Sequence, residues 1–108
     1  MMVSQTADSG LVYSSFRNDP DYAELLEMFV EELPDKQATF LELGRSRDFE
    51  SARREAHKLR GSAGGYGFHG LSALAGSLED SCKNAPPQTD TILREIEELI
   101  DYLGRVRA

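Results

Sequence analysis

The chain has 108 residues and a formal net charge of -7 at neutral pH, with 40% hydrophobic and 29% charged residues. That length gives one domain built on a single core and leaves no room for a multi-domain enzyme. The acidic balance argues against nucleic acid and anionic membrane as partners, because both select basic surfaces.

No apolar run approaches the length of a membrane span, and the start from Met1 to Asp8 lacks the basic and apolar regions of a secretory signal. A cytoplasmic location is expected. The lone Cys82 has no partner for an internal disulfide or a thiolate metal site, which agrees with a reducing compartment. Its place on an apolar helical stripe makes it a small core residue rather than a reactive thiol.

Residues 1 to about 10 are small and polar without periodicity, and are expected to form a flexible, disordered tail. Leu11 to Phe16 is apolar enough to lie as a strap or a helical turn across the end of the fold; a strand here would have no partner. Residues 1–18 therefore read as a tail and strap, and residues 19–108 as the folded unit.

Asp19 followed by Pro20 is a helix start, with a side-chain acceptor and then a proline where a missing N–H costs nothing. Tyr22, Leu25, Leu26, Phe29, Val30 and Leu33 recur at helical spacing, and Phe40 and Leu41 hold that phase beyond Pro34. One long helix kinked at the proline is predicted, closed by Gly44 to Arg47.

Asp48, or the residue before it, begins a second helix. With His57 at zero on a wheel of about 100° per residue, Leu59, Tyr66, Ala52, Ala63, Ala56 and Phe49 fall between roughly 180° and 280°. Arg53, Gly64, Glu50, Gly61, Arg54 and Arg60 lie within about 60° of His57. His57 therefore points away from the core, among cations. From Arg45 to Arg60 six basic residues face three acidic ones, a local charge of +3 in an acidic chain. That patch is either an ordinary solvated helix face or an attractor for phosphoryl groups and acidic pockets.

Glycine inside a helix costs about 1 kcal/mol relative to alanine. Gly61 nevertheless sits one turn after His57 on the same face, which points to close approach by a partner. Gly64, Gly65 and Gly67 read as the unwinding helix end, with Gly64 also placed to add clearance on the His57 face.

Phe68 to Gly70 turns into a third helix with Leu71, Leu74, Leu78 and Cys82 as its core face. Its small residues Ala73, Ala75, Gly76 and Ser77 would let neighbouring helices pack closely, and Lys83 to Pro87 stops it, the prolines forbidding continuation. Thr89 or Asp90 is expected to cap a last helix, whose stripe runs through Ile92, Leu93, Ile96, Leu99, Ile100, Leu103 and Val106. Four amphipathic helices with short connections define an all-α fold, an antiparallel four-helix bundle with a flexible N-terminal segment.

The run His57-Lys58-Leu59-Arg60-Gly61-Ser62-Ala63, then Gly67, Leu71 and Leu78-Glu79, resembles the signature of histidine-containing phosphotransfer (HPt) domains. With Phe29 to Pro34 upstream, the resemblance covers the chain from about Asp19 onward. It implies that His57 is phosphorylated by the aspartyl phosphate of a response-regulator receiver domain, that the reverse transfer also runs, and that the receiver brings Mg²⁺. It implies that Gly61 gives clearance and that Arg60, where the family often has lysine, stabilises the phosphoryl charge. Lys58 is a second candidate charge donor, Glu79 a candidate orienter of His57, and Arg53, Arg54 and Gly64 complete a docking surface. Glu79 has an equally ordinary reading as the solvent-facing half of a Leu-Glu pair.

Other chemistry finds little support. His69 falls at a helix start and reads as a turn residue, and no further ligand stands at metal spacing with the two histidines. The glycine cluster lacks the preceding strand and the Gly-Lys-Ser/Thr ending of a phosphate loop. No metal, bound cofactor, ATP site or kinase activity is expected of this chain. The expected partners are receiver domains, with a hybrid histidine kinase as a further one, and the expected state is a monomer. Two other readings stay open: the N-terminal phosphoacceptor domain of a chemotaxis-type histidine kinase, and an adaptor that docks a receiver without taking phosphate.

Overall fold

The computed structural model describes residues 10–108, so the expected disorder of the first residues lies outside the described part. Among the described residues a 3₁₀ turn, Pro20–Tyr22, leads into five α-helical segments. These are α1 (Ala23–Glu31), α2 (Leu33–Ser46), α3 (Phe49–Gly65), α4 (His69–Cys82) and α5 (Thr89–Leu103).

α1 and α2 are two arms of one bent helix. Glu32 between them keeps right-handed helical angles (φ -84°, ψ -13°), and its N–H reaches back three residues to the Phe29 carbonyl at 3.2 Å. Pro34 has no N–H to offer the Val30 carbonyl, so the helical ladder loses a rung and bends there. Counted this way, four helices make the bundle. α2, α3, α4 and α5 form a closed ring: each approaches its neighbour within 8 Å between Cα atoms, and the diagonal pairs do not. Short connections hold consecutive helices side by side.

Asp19 accepts from the Asp21 N–H, and Asp48 accepts from the Ser51 N–H at 3.1 Å, capping the turns they precede. α2 closes within the expected stretch from Gly44 to Arg47, whereas the cap of α5 falls one residue before the expected ones. Gly44 stays inside α2, packed toward Ile96, and the helix ends at Arg47 in the left-handed conformation (φ 58°). α5 starts after Gln88, with neither Thr89 nor Asp90 as its cap.

The core gathers Leu26, Phe29, Leu33 and Phe40 from the bent helix, Leu59 from α3, Leu71 and Leu78 from α4, and Ile92, Ile96, Leu99 and Leu103 from α5. α3 otherwise buries only Ala52, Ala56 and Ala63, the stripe opposite His57. Such small side chains let α4 come close. On α4 the buried face is Leu71, Ala75, Gly76, Leu78 and Glu79, while Leu74 and Cys82 are half-buried. The stripe is thus rotated toward α3 relative to the leucine spacing, and the rotation carries a carboxylate inward. Burial pushes the Cys82 thiol up to about 11, so it stays protonated near neutral pH.

Residues 11–16 strap the end of the bundle. Val12 does find a strand partner: it forms one parallel bridge with Val106, donating to the Arg105 carbonyl and accepting from the Arg107 N–H, both at 2.8 Å. Buried Ser14 donates to the Tyr66 carbonyl (2.6 Å) and accepts from the Phe16 N–H (2.8 Å).

Candidate functional site

α3 presents His57 with its side chain 70% exposed. The two flanks of the helix meet different neighbours. Arg60 and Gly64 face α4, where Gly64 sits against Ser72 and Arg60 crosses Gly76. Lys58, Ser62 and Tyr66 border a groove against Leu25, Met28 and Phe29 of α1.

Glu79 comes from α4 and its side chain is only 4% exposed. Its Oε2 lies 2.9 Å from His57 Nδ1 and 3.4 Å from Lys83 Nζ, and its Oε1 accepts from an Arg60 guanidinium nitrogen at 3.2 Å. Desolvation raises the pKa of this carboxyl, but the hydrogen bonds from His57, Arg60 and Lys83 outweigh it, and the net shift is below the ordinary value. An ionised carboxylate only accepts, so Nδ1 carries the ring proton and donates it. Nε2 is then the nitrogen with the lone pair, and it makes no hydrogen bond among the described residues.

The sign of that shift gives a test of stability. A carboxyl whose folded value is depressed contributes stability that is complete above its unfolded value, near 4.5, and is lost as pH falls through the lower folded value. Urea midpoints of Glu79→Gln should therefore fall less steeply than those of the parent chain as pH descends below 4.5.

The remaining cations are engaged with carboxylates of their own helix. Arg53 and Arg54 both bind Glu50, with Arg54 at 3.2 Å and also on Ser51 Oγ at 3.0 Å, and Lys58 pairs with Glu55 at 3.0 Å. Exposed pairs of this kind contribute no more than about 1 kcal/mol, so an incoming anion can exchange them. Together Arg53, Arg54, His57 and Lys58 line one surface depression.

Gly61 stands open: a Cβ built there meets nothing within 4 Å. Gly64 does not share that role. A Cβ at Gly64 would lie 3.3 Å from Ser72 Oγ, so its small size serves the packing of α3 on α4 rather than clearance for a partner. His69 opens α4 with Nε2 3.4 Å from Ser15 Oγ, at the strap.

Two residues of this cluster escape a reading of the sequence. Lys83 passes as part of the helix stop, although four residues after Glu79 is the spacing at which helical charges meet. Gly76 passes as one small residue among several. Among the described residues no group of three or more His, Cys, Asp or Glu is placed to hold a metal, and no helix is long and apolar enough to cross a membrane.

The helical bundle thus carries an exposed histidine with one ring nitrogen held by a buried carboxylate and the other without a hydrogen bond among the described residues. The chain belongs to the Hpt domain family, whose model matches residues 24–108. Comparison with curated proteins and with solved structures returns no match. Membership supports histidine phosphotransfer in phosphorelays, with receiver domains of two-component systems as the interacting class.

Proposed function

We propose that the chain is a phosphorelay carrier that takes a phosphoryl group on His57 from the aspartyl phosphate of one receiver domain and passes it to another. The observation that carries this reading is the exposed imidazole with its Nδ1–H held by Glu79 at 2.9 Å. Nε2 attacks phosphorus, the bond from phosphorus to the aspartyl oxygen breaks, and the receiver carboxylate leaves. The Nδ1 proton stays in place, and Glu79 balances the positive charge that the ring gains. Transfer of this kind rests on alignment and charge neutralisation, and Mg²⁺ in the receiver's acidic pocket supplies much of the latter.

Gly61 admits the receiver backbone beside the imidazole. Arg53, Arg54 and Lys58 offer positive charge to an acidic partner, and Leu25 (42% exposed) and Met28 (56%) extend an apolar margin. The carrier acts as a cytoplasmic monomer, binds no cofactor of its own, and serves receivers that include those of a hybrid histidine kinase.

The test is transfer from phosphorylated receivers with Mg²⁺, followed as the gain of one acid-labile phosphoryl group by intact mass. The parent chain should be labelled and His57→Gln should not, while His57→Gln should still dock. Label that persists in His57→Gln removes His57 from the mechanism. Label that comes only from an ATP-supplied kinase domain replaces the relay with the kinase-substrate reading.

A further inference from the structure

Of the six basic residues from Arg45 to Arg60, four are matched by carboxylates: Arg53 and Arg54 by Glu50, Lys58 by Glu55 and Arg60 by Glu79. Arg45 and Arg47 are not. Both are exposed, and neither makes an ion pair among the described residues. They border a groove between α2 and α5, floored by Gly44 and Ile96 and walled by Leu41, Leu93 and Ile100. In the ring of helices this side lies across from the one that α3 and α4 form around His57 and Glu79.

Two residues of the groove are poor choices for the fold alone. Glycine inside a helix is less favourable than alanine, yet a Cβ on Gly44 would meet Ile96 at 3.6 and 3.7 Å and Leu93 at 3.8 Å, ordinary packing distances. Alanine would fit there, and glycine leaves the floor deeper by a methyl group. Arg47 is the converse case. It takes the left-handed position at the end of α2 (φ 58°), where glycine is preferred, and its guanidinium donates to the Gly44 carbonyl at 2.9 Å. Backbone strain that is kept points to a use, and both departures converge on one surface.

We propose that the groove between α2 and α5 docks an acidic amphipathic helix of a partner protein, on a face separate from the receiver surface around His57. Leu93, Ile96 and Ile100 are spaced by three and four, so they cover about two turns, roughly 10 Å, of α5. With Leu41, 46% exposed, they match the apolar stripe of a guest helix laid between two helices. Charge fixes what flanks that stripe. Two arginines without carboxylate partners face a single carboxylate, Glu97, on the opposite rim, which calls for acidic residues on the guest. A chain of net charge -7 repels an acidic segment over most of its surface, so this cationic rim also selects where the guest settles.

The probe is a helical peptide of about 15 residues, with leucines spaced by three and four and glutamates beside them; in a control peptide lysines replace the glutamates. The glutamate probe should bind the full chain in the micromolar range and shift the amide resonances of Leu41, Gly44, Leu93 and Ile100, leaving those of His57 and Gly61 in place. The lysine control should bind about tenfold more weakly or worse. Arg45→Gln/Arg47→Gly removes both charges and gives the left-handed position its preferred residue. That variant should keep a urea midpoint at or above the parent's and yet bind the glutamate probe about tenfold more weakly. Gly44→Ala should raise the midpoint and weaken binding, as its methyl fills the floor. Labelling of His57 by phosphoramidate, a donor small enough to need no docked protein, should run at the same rate with the probe bound or absent.

Equal affinity for the two peptides overturns the proposal, as does the absence of binding at millimolar probe. Resonance shifts at His57 in place of the groove, or phosphoramidate labelling blocked by the probe, would overturn it by putting the guest on the receiver face. Self-association of the chain that is lost in Leu41→Glu would assign the groove to a second copy and overturn it equally.

Discussion

Gly61→Leu should fold at least as well as the parent chain and yet accept phosphoryl from a receiver about 100-fold more slowly. The fold is indifferent because a Cβ at this position touches nothing within 4 Å. Replacing glycine within α3 with a good helix former should add about 0.5–1 kcal/mol of stability. The function is not indifferent, because position 61 lies one turn beyond His57 and about 40° around the helix from it. A leucine there occupies the space into which a receiver must bring its aspartyl phosphate. Parallel urea titrations and receiver-transfer rates check the two halves. Labelling by phosphoramidate should stay near the parent rate, since that donor needs no docking surface. Receiver transfer at the parent rate would sink the close-approach argument, and loss of phosphoramidate labelling would place the damage in the imidazole itself.

That prediction was within reach of the sequence, because periodicity and the helix wheel are local properties. The buried stripe Ala52, Ala56, Leu59 and Ala63 and the outward His57 both follow from residues spaced three and four apart. The surroundings of Glu79 were less accessible. A Leu-Glu pair on an amphipathic helix has a solvent-facing explanation of its own, and only the rotation of α4 toward α3 turns the carboxylate inward. Family resemblance names its role, but its burial and its contacts with His57 and Arg60 depend on how two helices meet. Arg60 illustrates the same limit: the signature placed a cation three residues after the histidine, whereas the crossing at Gly76 decides what that cation touches. The pairing of Val12 with Val106 joins opposite ends of the chain, and no local pattern encodes such a partner.

Gly67 provides the counterpart to Gly61, six residues on in the same signature. Gly67→Ala should destabilise the fold by about 2–4 kcal/mol, the sum of left-handed strain and forced overpacking. Gly67 has φ 83° and completes the end of α3: its N–H bonds to the Gly64 carbonyl at 3.2 Å, and the next N–H, of Phe68, to the Ala63 carbonyl at 2.8 Å. That is the Schellman pattern, in which the residue after the cap must be left-handed. A methyl here would also stand 2.6 Å from Ser14 Oγ, 2.7 Å from Ser15 Oγ and 2.9 Å from a Phe16 ring carbon. The strap cannot yield freely, because Ser14 holds the Tyr66 carbonyl and the Ser15 N–H holds that of Gly67. In a domain of this size the loss corresponds to a fall in Tm of roughly 10 °C or more, read by thermal and urea denaturation. Phosphoramidate labelling well below the transition should remain close to the parent rate, since His57 and Glu79 lie nearly three turns back along α3 and on the far part of α4. A Tm within a few degrees of the parent would mean that the strap gives way without cost, and the clamp on the end of α3 would lose its structural meaning.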